Sequence, residues 1–502
     1  MLAVRHRWLV IVGVMGAVIM QILDTTVANV ALPHMRTSLG ATSDTITWVL
    51  TSYIIASAIA IPATGWLSDR FGSRNLFLGA VGGFIIASML CGTAVNLEEM
   101  VLFRILQGVA GAFISPLSQT AMLDISPPDQ QAKAMSVWGM GVMVGPILGP
   151  VIGGWLTQSY NWSWVFYINL PVGALTFAIL WFLLPSRPRA KRAFDMTGFA
   201  LISIAVASFQ LMLDRGQNED WFSSWEIIIE GLVSIAALWM AIVHLTTSSK
   251  PLFDRELFKN RNLMVGLFFM IVIGMSTMAP MALLPPMLQQ LFNYPVIDTG
   301  LMMAPRGVGV LVMMWITGQL IGKVDTRILV AAGLILFSLS MRLMAGWSLE
   351  MDYWPVITCG FLQGLGMGLA FVPLNSLAFA TLGHLYRTDG ASLMNLMRSI
   401  GQSAGISMVT VLMARNIQIS HADLASHITD KTIPSLDLGS LDRLGTLSDS
   451  VFAFADAAIN KQAAMIAYLD DFYLMSWITL GVLPLVLLLK GPKGKIETII
   501  AE

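Results

Sequence analysis

The stretch that decides the fold is Gly65-Trp-Leu-Ser-Asp-Arg-Phe-Gly-Ser-Arg74. It is a short polar turn between two apolar runs, and its pattern occurs twice. Gly318-Gln-Leu-Ile-Gly-Lys-Val-Asp-Thr-Arg327 repeats Gly-x-Leu-x-x-basic-x-x-x-Arg 253 residues later. Two more pairs keep nearly that offset: Leu106-Gln107-Gly108 with Leu362-Gln363-Gly364, and Pro116-Leu117 with Pro373-Leu374. Shared apolar composition can produce one such match. Three near-equal offsets point to two parallel halves, an arrangement found in secondary transporters.

Composition agrees. The chain has 502 residues, of which 56% are hydrophobic and 12% charged. That is about half the charge of a soluble domain. Mean hydropathy is +0.72. A soluble enzyme of this length needs more charge to cover its surface. The net charge of −1 leaves no basic excess that would suggest nucleic acid. The two cysteines, Cys91 and Cys359, lie in apolar runs of opposite halves and read as small hydrophobes. Six histidines without ligand spacing imply no metal, and no cofactor is expected. No Gly-x-x-x-x-Gly-Lys-Ser/Thr loop is present, which argues against an ATP-driven pump. An embedded enzyme lacks HExxH, a Ser–His–acid grouping and paired acids at one depth.

A membrane span needs about 20 mostly apolar residues. Fourteen runs qualify: 8–31, 45–67, 76–95, 98–123, 135–156, 163–184, 197–214, 226–246, 263–287, 297–321, 328–348, 355–380, 391–413 and 472–489. The expected fold is an all-α polytopic membrane protein with 14 transmembrane helices. Lys and Arg in the connections set its orientation. With the N-terminus inside, 19 fall in inside segments, including Arg187, Arg189, Lys191 and Lys490. Only Arg36 and Arg215 fall in short outside loops. Both termini are then cytoplasmic. The repeat pairs helices 1–6 with 9–14. This divides the chain into a six-helix bundle (1–195), two inserted helices (196–250), a second six-helix bundle (251–490, with an outside loop at 414–471) and a tail (491–502).

An ionised side chain at mid-membrane costs about 2.5–3.5 kcal/mol on insertion scales, so each needs a reason. Asp24 in span 1 and Arg104 in span 4 lie about 13 and 10 Å from the same membrane face at 1.5 Å per residue. They match in depth and oppose in charge. Gln21, Asp24, Thr25 and Ala28 share a helical face, with Asn29 at its edge. Arg104, Gln107, Gly111, Ser115 and Ser118 share another. Two polar stripes at one depth read either as a wet cavity with a proton-coupling pair or as a structural ion pair. Arg306, Arg342 and Arg398 are the other expected buried cations, and Arg398 precedes the close-packing spacing Gly401-x-x-x-Gly405. They favour anionic substrates, or else meet backbone carbonyls and lipid headgroups.

These residues resemble a known family. Gly65, Asp69, Arg70, Gly72 and Arg74 look like the loop signature of the major facilitator superfamily. Gly141-x-x-x-Gly145-Pro146-x-x-Gly149-Pro-x-x-Gly153-Gly154 looks like the antiporter motif of its drug exporters. Leu23-Asp24-Thr-Thr-Val-Ala-Asn29-Val-Ala-Leu-Pro33 resembles the motif of the fourteen-span drug:proton antiporters. Leu213-Asp-Arg-Gly-Gln with Trp221-Phe-Ser-Ser is similar to the EmrB type within them, and residues 414–470 are the least similar.

The resemblance implies a major facilitator fold, with Asp24 and Arg104 coupling protons to transport. It also implies a pivot and leak seal at the helix 5 glycines, and a charge clamp of Asp69, Arg70 and Arg74 that closes the cytoplasmic side. Gln21, Thr25, Asn29, Gln107, Ser115, Gln363, Asn375 and Arg398 are the expected lining of the substrate cavity. The implied function is proton-driven multidrug efflux of lipophilic toxic compounds across the bacterial inner membrane. Alternatives are export of one physiological compound, such as a fatty acid or secreted metabolite, and a transport-inactive scaffold or sensor. The expected partners are the lipid bilayer, lipophilic substrates, protons, an EmrA-like periplasmic adaptor and an outer-membrane channel. Helix-like periodicity over 449–469, with Phe454, Ile459, Met465 and Ile466 near one side, suggests a helix that lies on the membrane or docks the adaptor.

Overall fold

The computed structural model describes residues 6–42, 45–127, 130–186, 192–427 and 446–489, and their side chains except at 296 and 446–452. Among them run fourteen long helices: α1 (Arg7–Ser38), α2 (Thr45–Phe71), α3 (Ser73–Thr93), α4 (Leu97–Asp124), α5 (Gln131–Ser159), α6 (Trp164–Leu183), α7 (Met196–Arg215), α8 (Trp225–Thr247), α9 (Arg261–Leu291), α10 (Ile297–Leu320), α11 (Thr326–Met344), α12 (Trp354–Ala380), α13 (Arg387–Ser426) and α14 (Thr446–Gly481). Arg187, Arg189, Lys191, Asp437, Asp442 and the tail 491–502 lie outside the described residues.

Prolines explain the irregular places. A proline removes one helical N–H and crowds the carbonyl four residues back. α2 tightens into a 3-10 turn at Ile61–Ala63, around Pro62. α4 loosens at Phe113, just before Pro116. α9 finishes in a π turn, Met287–Leu291, straight after Pro285 and Pro286. α5 carries Pro146 and Pro150 and still runs unbroken.

Thirteen of the expected spans coincide with helices long and apolar enough to cross a membrane. The remaining one, 391–413, lies in α13, which has the length but a more polar surface. Protein covers several of those polar groups: Asn395 donates to Gln119, Arg398 to Asn395, and Ser403 accepts from Gln210.

The duplication is visible in the packing. α1 packs on α5 and α6, α2 on α4, and α3 on α4 and α6. The second half repeats this set as α9 on α13 and α14, α10 on α12, and α11 on α12 and α14. α7 and α8 pack together between the halves in sequence, and α7 lies against both α2 and α13. The end of the bundle that carries the Gly65–Arg74 turn is here termed the inner end.

One expectation is corrected. Of the segment 414–471, residues 414–426 continue α13 and 446–471 belong to α14, so the expected loop is helical at both ends, and 428–445 lie outside the described residues. α13 has 40 residues and α14 has 36. At 1.5 Å per residue they reach about 60 and 54 Å, nearly twice the roughly 30 Å hydrocarbon core. Their outer parts form a helical hairpin, tied across by His421 Nε2 and Asp456 Oδ1 at 3.0 Å. Residues 449–469 continue the last helix, so they stand on the bundle rather than lie on a membrane.

Candidate functional site: a buried acid and the seams between the halves

Asp24 is 1% exposed and Arg104 0%. Arg104 Nη1 sits 2.7 Å from Asp24 Oδ2 and also donates to Gln107 Oε1 at 2.7 Å. Asp24 Oδ1 accepts from Gln107 Nε2 at 2.8 Å and from Asn169 Nδ2 at 2.7 Å. Asn169 also donates to Ser88 Oγ, which donates to the Phe166 carbonyl at 3.0 Å. Arg104 Nε donates to the Val49 carbonyl, and the guanidinium lies over the Tyr53 ring, 4.4 Å from its centroid. Five helices, α1, α2, α3, α4 and α6, thus converge around one carboxylate.

Every side chain that touches the carboxylate is a donor. The set therefore fits the ionised acid.

The two polar stripes divide in the structure. Asp24 and Ala28 turn into the first half, while Gln21 and Thr25 are half-buried and Asn29 is exposed. Ser115 donates to Gln21 Oε1 at 2.8 Å, which links α4 to the half-buried edge of α1. Gln107 belongs to the Asp24 cluster. Gln363 is fully buried beside Met341, inside the second half. Asn375 accepts from Gln119 Nε2 at 2.8 Å and therefore lies where the halves meet, not on an open wall. Arg398 and Arg306 are half-buried. Arg306 Nη2 donates to the Thr277 carbonyl. Arg342 departs from expectation: it is exposed, over the Tyr473 ring.

The glycines of α5 face α1. A Cβ on Gly141 would enter Met15, one on Gly145 would enter Ile22, and one on Gly149 would enter Thr26. Gly153 packs against Val27. The Thr26 hydroxyl also bonds the Gly145 carbonyl at 3.2 Å, which requires the two backbones to approach closely. Gly154 has open space and is not part of this groove. The other side of α5 meets α10 across the first seam between the halves. Ile147 fills the space over Gly307, and Ser136 the space over Gly318.

The second seam joins α2 to α13 at the inner end. Asp389 occupies the space over Gly65, and Ser392 Oγ donates to the Ile61 carbonyl at 2.8 Å. The expected clamp takes a different form. Arg192 supplies the cation, 2.8 Å from Asp389 and 3.9 Å from Asp69. Arg70 is exposed and has no ion pair among the described residues, and Arg74 donates to the Trp181 carbonyl. Arg387 and Asp124 add a second ion pair between the halves at 3.5 Å. Gly72 has φ of 90°, which a glycine adopts without strain, and it lets α2 turn into α3.

Sequence reasoning passed over Asn169, Ser88, Tyr53, Gln119, Arg192 and Asp389. Asn169 and Gln119 carried a signal as amides inside apolar runs. Arg192 read only as one more inside cation.

Residues 14–406 match the family described as the Major Facilitator Superfamily. The chain is 35% identical over 479 residues to the fatty acid resistance protein FarB of Neisseria gonorrhoeae, with 95% of this chain and 94% of that protein covered. It is 34% identical over 486 residues to the multidrug export protein EmrB of Escherichia coli K12, with the same coverage. Among solved structures, the proton:xylose symporter XylE superposes with a TM-score of 0.61 at 14% identity, covering 95% of this chain and 96% of that one. The human organic anion transporter MFSD10 gives 0.59 at 14% identity, covering 94% and 99%. Those two likenesses concern the fold alone. The chain is a multi-pass membrane transporter of the major facilitator superfamily and belongs among its EmrB-like members.

Proposed function

We propose that this chain is a proton-driven exporter of lipophilic compounds in a bacterial inner membrane. Both termini lie in the cytoplasm, and the outer hairpin engages a periplasmic adaptor that leads to an outer-membrane channel. The observation that carries the reading is Asp24: a buried acid surrounded by donors, at the point where α1, α2, α3, α4 and α6 converge. Protonation from outside removes the charge that holds Arg104, Gln107 and Asn169 together. The packing of α1 then changes, and α1 carries Gln21, Thr25 and Asn29 toward the substrate path. The halves, 1–195 and 251–490, alternate around that path. One proton moving inward down 100 mV supplies about 2.3 kcal/mol. The names of the EmrB relatives support the multidrug reading, and the lysines and arginines at inner-end connections support the orientation.

A second reading is export of one anionic compound. Arg306 and Arg398 face no carboxylate at ion-pair distance among the described residues, and the relative FarB is named for fatty acid resistance. The test is purified protein in liposomes with a pH-sensitive dye. Added substrate should release protons from wild type and not from Asp24→Asn. Equal release from both refutes coupling at Asp24. Competition by long-chain carboxylates, but not by lipophilic cations, selects the anionic reading.

A further inference from the structure

Among the described residues, the inserted helix α7 makes one side-chain hydrogen bond to each half, and the two lie one turn apart. Asp214 accepts a hydrogen bond from the Thr51 hydroxyl of α2. Gln210 donates to the Ser403 hydroxyl of α13. Asp214 belongs to the Leu213-Asp-Arg-Gly-Gln stretch that the transport site leaves unused. α2 and α13 are also the helices that meet directly at the inner end, through Gly65 with Asp389 and Ile61 with Ser392. α7 therefore lies across the same seam farther toward the outer end. α7 and α8 form a hairpin of their own, closed by ion pairs from Arg215 to Glu219 and Glu226 and by Ser234 Oγ on the Ala205 carbonyl at 2.9 Å.

We propose that α7 is a detachable strap over the α2–α13 seam, which stays with the first half and releases the second each time the halves exchange positions. The reason is geometric. Residues 210 and 214 sit on a rigid helix, about 6 Å apart along its axis. Thr51 and Ser403 sit on helices of opposite halves. When those halves rock, the distance between Thr51 and Ser403 changes, and a stiff segment of fixed length cannot hold both. The contact to a carboxylate is the stronger hydrogen bond, since its acceptor is charged. α7 also packs on α2 from the Thr51 level down to the Ile61–Ala63 turn. The neutral Gln210–Ser403 contact is the one that opens. While closed, the strap separates the seam from lipid, so a lipophilic substrate leaves along the axis of the bundle rather than sideways into the bilayer.

The proposal rests on the alternating halves of the transport reading. The test is run as substrate counterflow in liposomes, which needs no proton gradient, so failure of the coupling role of Asp24 does not confuse it. Cysteine pairs are placed at 51 and 214 or at 210 and 403 and bridged by a short reducible bis-thiosulfonate. Bridging 51 to 214 should leave counterflow within about twofold of the unbridged protein. Bridging 210 to 403 should abolish it, and reduction should restore it. In a second measurement, Ser403→Cys should react several-fold faster with a membrane-dissolved maleimide when Gln210 is changed to Ala. Undiminished counterflow with 210 bridged to 403 overturns the strap. Loss with 51 bridged to 214 overturns its assignment to the first half, and an unchanged Ser403→Cys rate overturns the lipid seal.

Discussion

Gly65 and Asp389 share one space: a Cβ on Gly65 would coincide with the carboxylate of Asp389, from the other half of the molecule. The same relationship recurs across the other seam, where Ser136 fills the space over Gly318. Gly65 and Gly318 stand 253 residues apart, and so do Ser136 and Asp389. The inner end is therefore closed twice by one device, a glycine on α2 or α10 receiving a side chain from the opposite half.

Gly65→Ala should act on this closure alone. Overpacking costs about 1–3 kcal/mol, and it is felt only while the halves are shut at the inner end. The conformational equilibrium should move toward inner-open by about 5- to 150-fold. A cysteine at Asn29 should lose accessibility from the outer side. Arg192→Ala should do the same, and Arg70→Ala should do so less, because Arg192 holds Asp389. Unchanged labelling at position 29 in Gly65→Ala refutes the closure argument.

Asp24→Asn should insert and fold, because it removes a buried charge and keeps an acceptor for Arg104. It should lose proton-coupled transport. Without one proton's drive of about 2.3 kcal/mol per 100 mV, the attainable substrate gradient falls about 50-fold. Arg104→Ala leaves Asp24 buried without its cation and should destabilise by about 3–5 kcal/mol. Arg104→Lys should rescue in part, since one ammonium cannot serve Asp24, Gln107 and the Val49 carbonyl together. Flux assays and thermal unfolding of the purified variants check each outcome.

The α5 glycines should sort by what faces them. Gly145→Ala and Gly149→Ala push against Ile22 and Thr26 and should each cost about 1–3 kcal/mol. Both should also slow transport. Gly154→Ala meets nothing and should be silent in expression, melting temperature and flux. A Gly154→Ala defect equal to that of Gly149→Ala would show that the motif acts by something other than contact with α1.

Asp195 ties the start of α7 to the α8–α9 connection. Its burial alone raises the carboxyl pKa. Hydrogen bonds from the Gly198 N–H, His244 and the Leu252 N–H outweigh that and hold it below the usual value. A lowered folded-state pKa stabilises above the unfolded pKa of about 3.9, and the gain is lost as pH falls through the folded value. Asp195→Asn should cost about 0.5–2 kcal/mol near neutrality, as for a lost cap. The difference from wild type should narrow in acid, below about pH 4. Melting temperatures across pH check the sign.

The hairpin should be separable from transport. Replacing 422–456 with a short Gly/Ser linker removes a stretch whose described side chains, 422–427 and 453–456, are mostly exposed, and leaves the buried Ala463, Met465 and Tyr468 in place. Proton-coupled flux in liposomes should survive. Co-purification of the adaptor and drug resistance in the intact cell should be lost. Survival of both assigns the hairpin no docking role.

The sequence by itself determined the topology, because crossing a membrane imposes length and apolarity that are readable one run at a time. It also exposed the duplication, since equal offsets need no coordinates, and it singled out Asp24 and Arg104, since ions are costly in lipid. Only the tertiary structure decided which donors complete the Asp24 site. Asn169 and Ser88 come from helices whose rotation about their own axes the sequence leaves open. The structure also replaced Arg70 with Arg192 in the clamp and moved Asn375 from the cavity to the seam. It extended a helix longer than the membrane into each end of an apparent loop. The periodicity of 449–469 fits a helix in any direction, and packing of α13 against α14 selects the upright one. Local pattern fixes which residues are helical and which are costly to bury, whereas the partner of a buried group depends on the relative positions of helices distant in sequence.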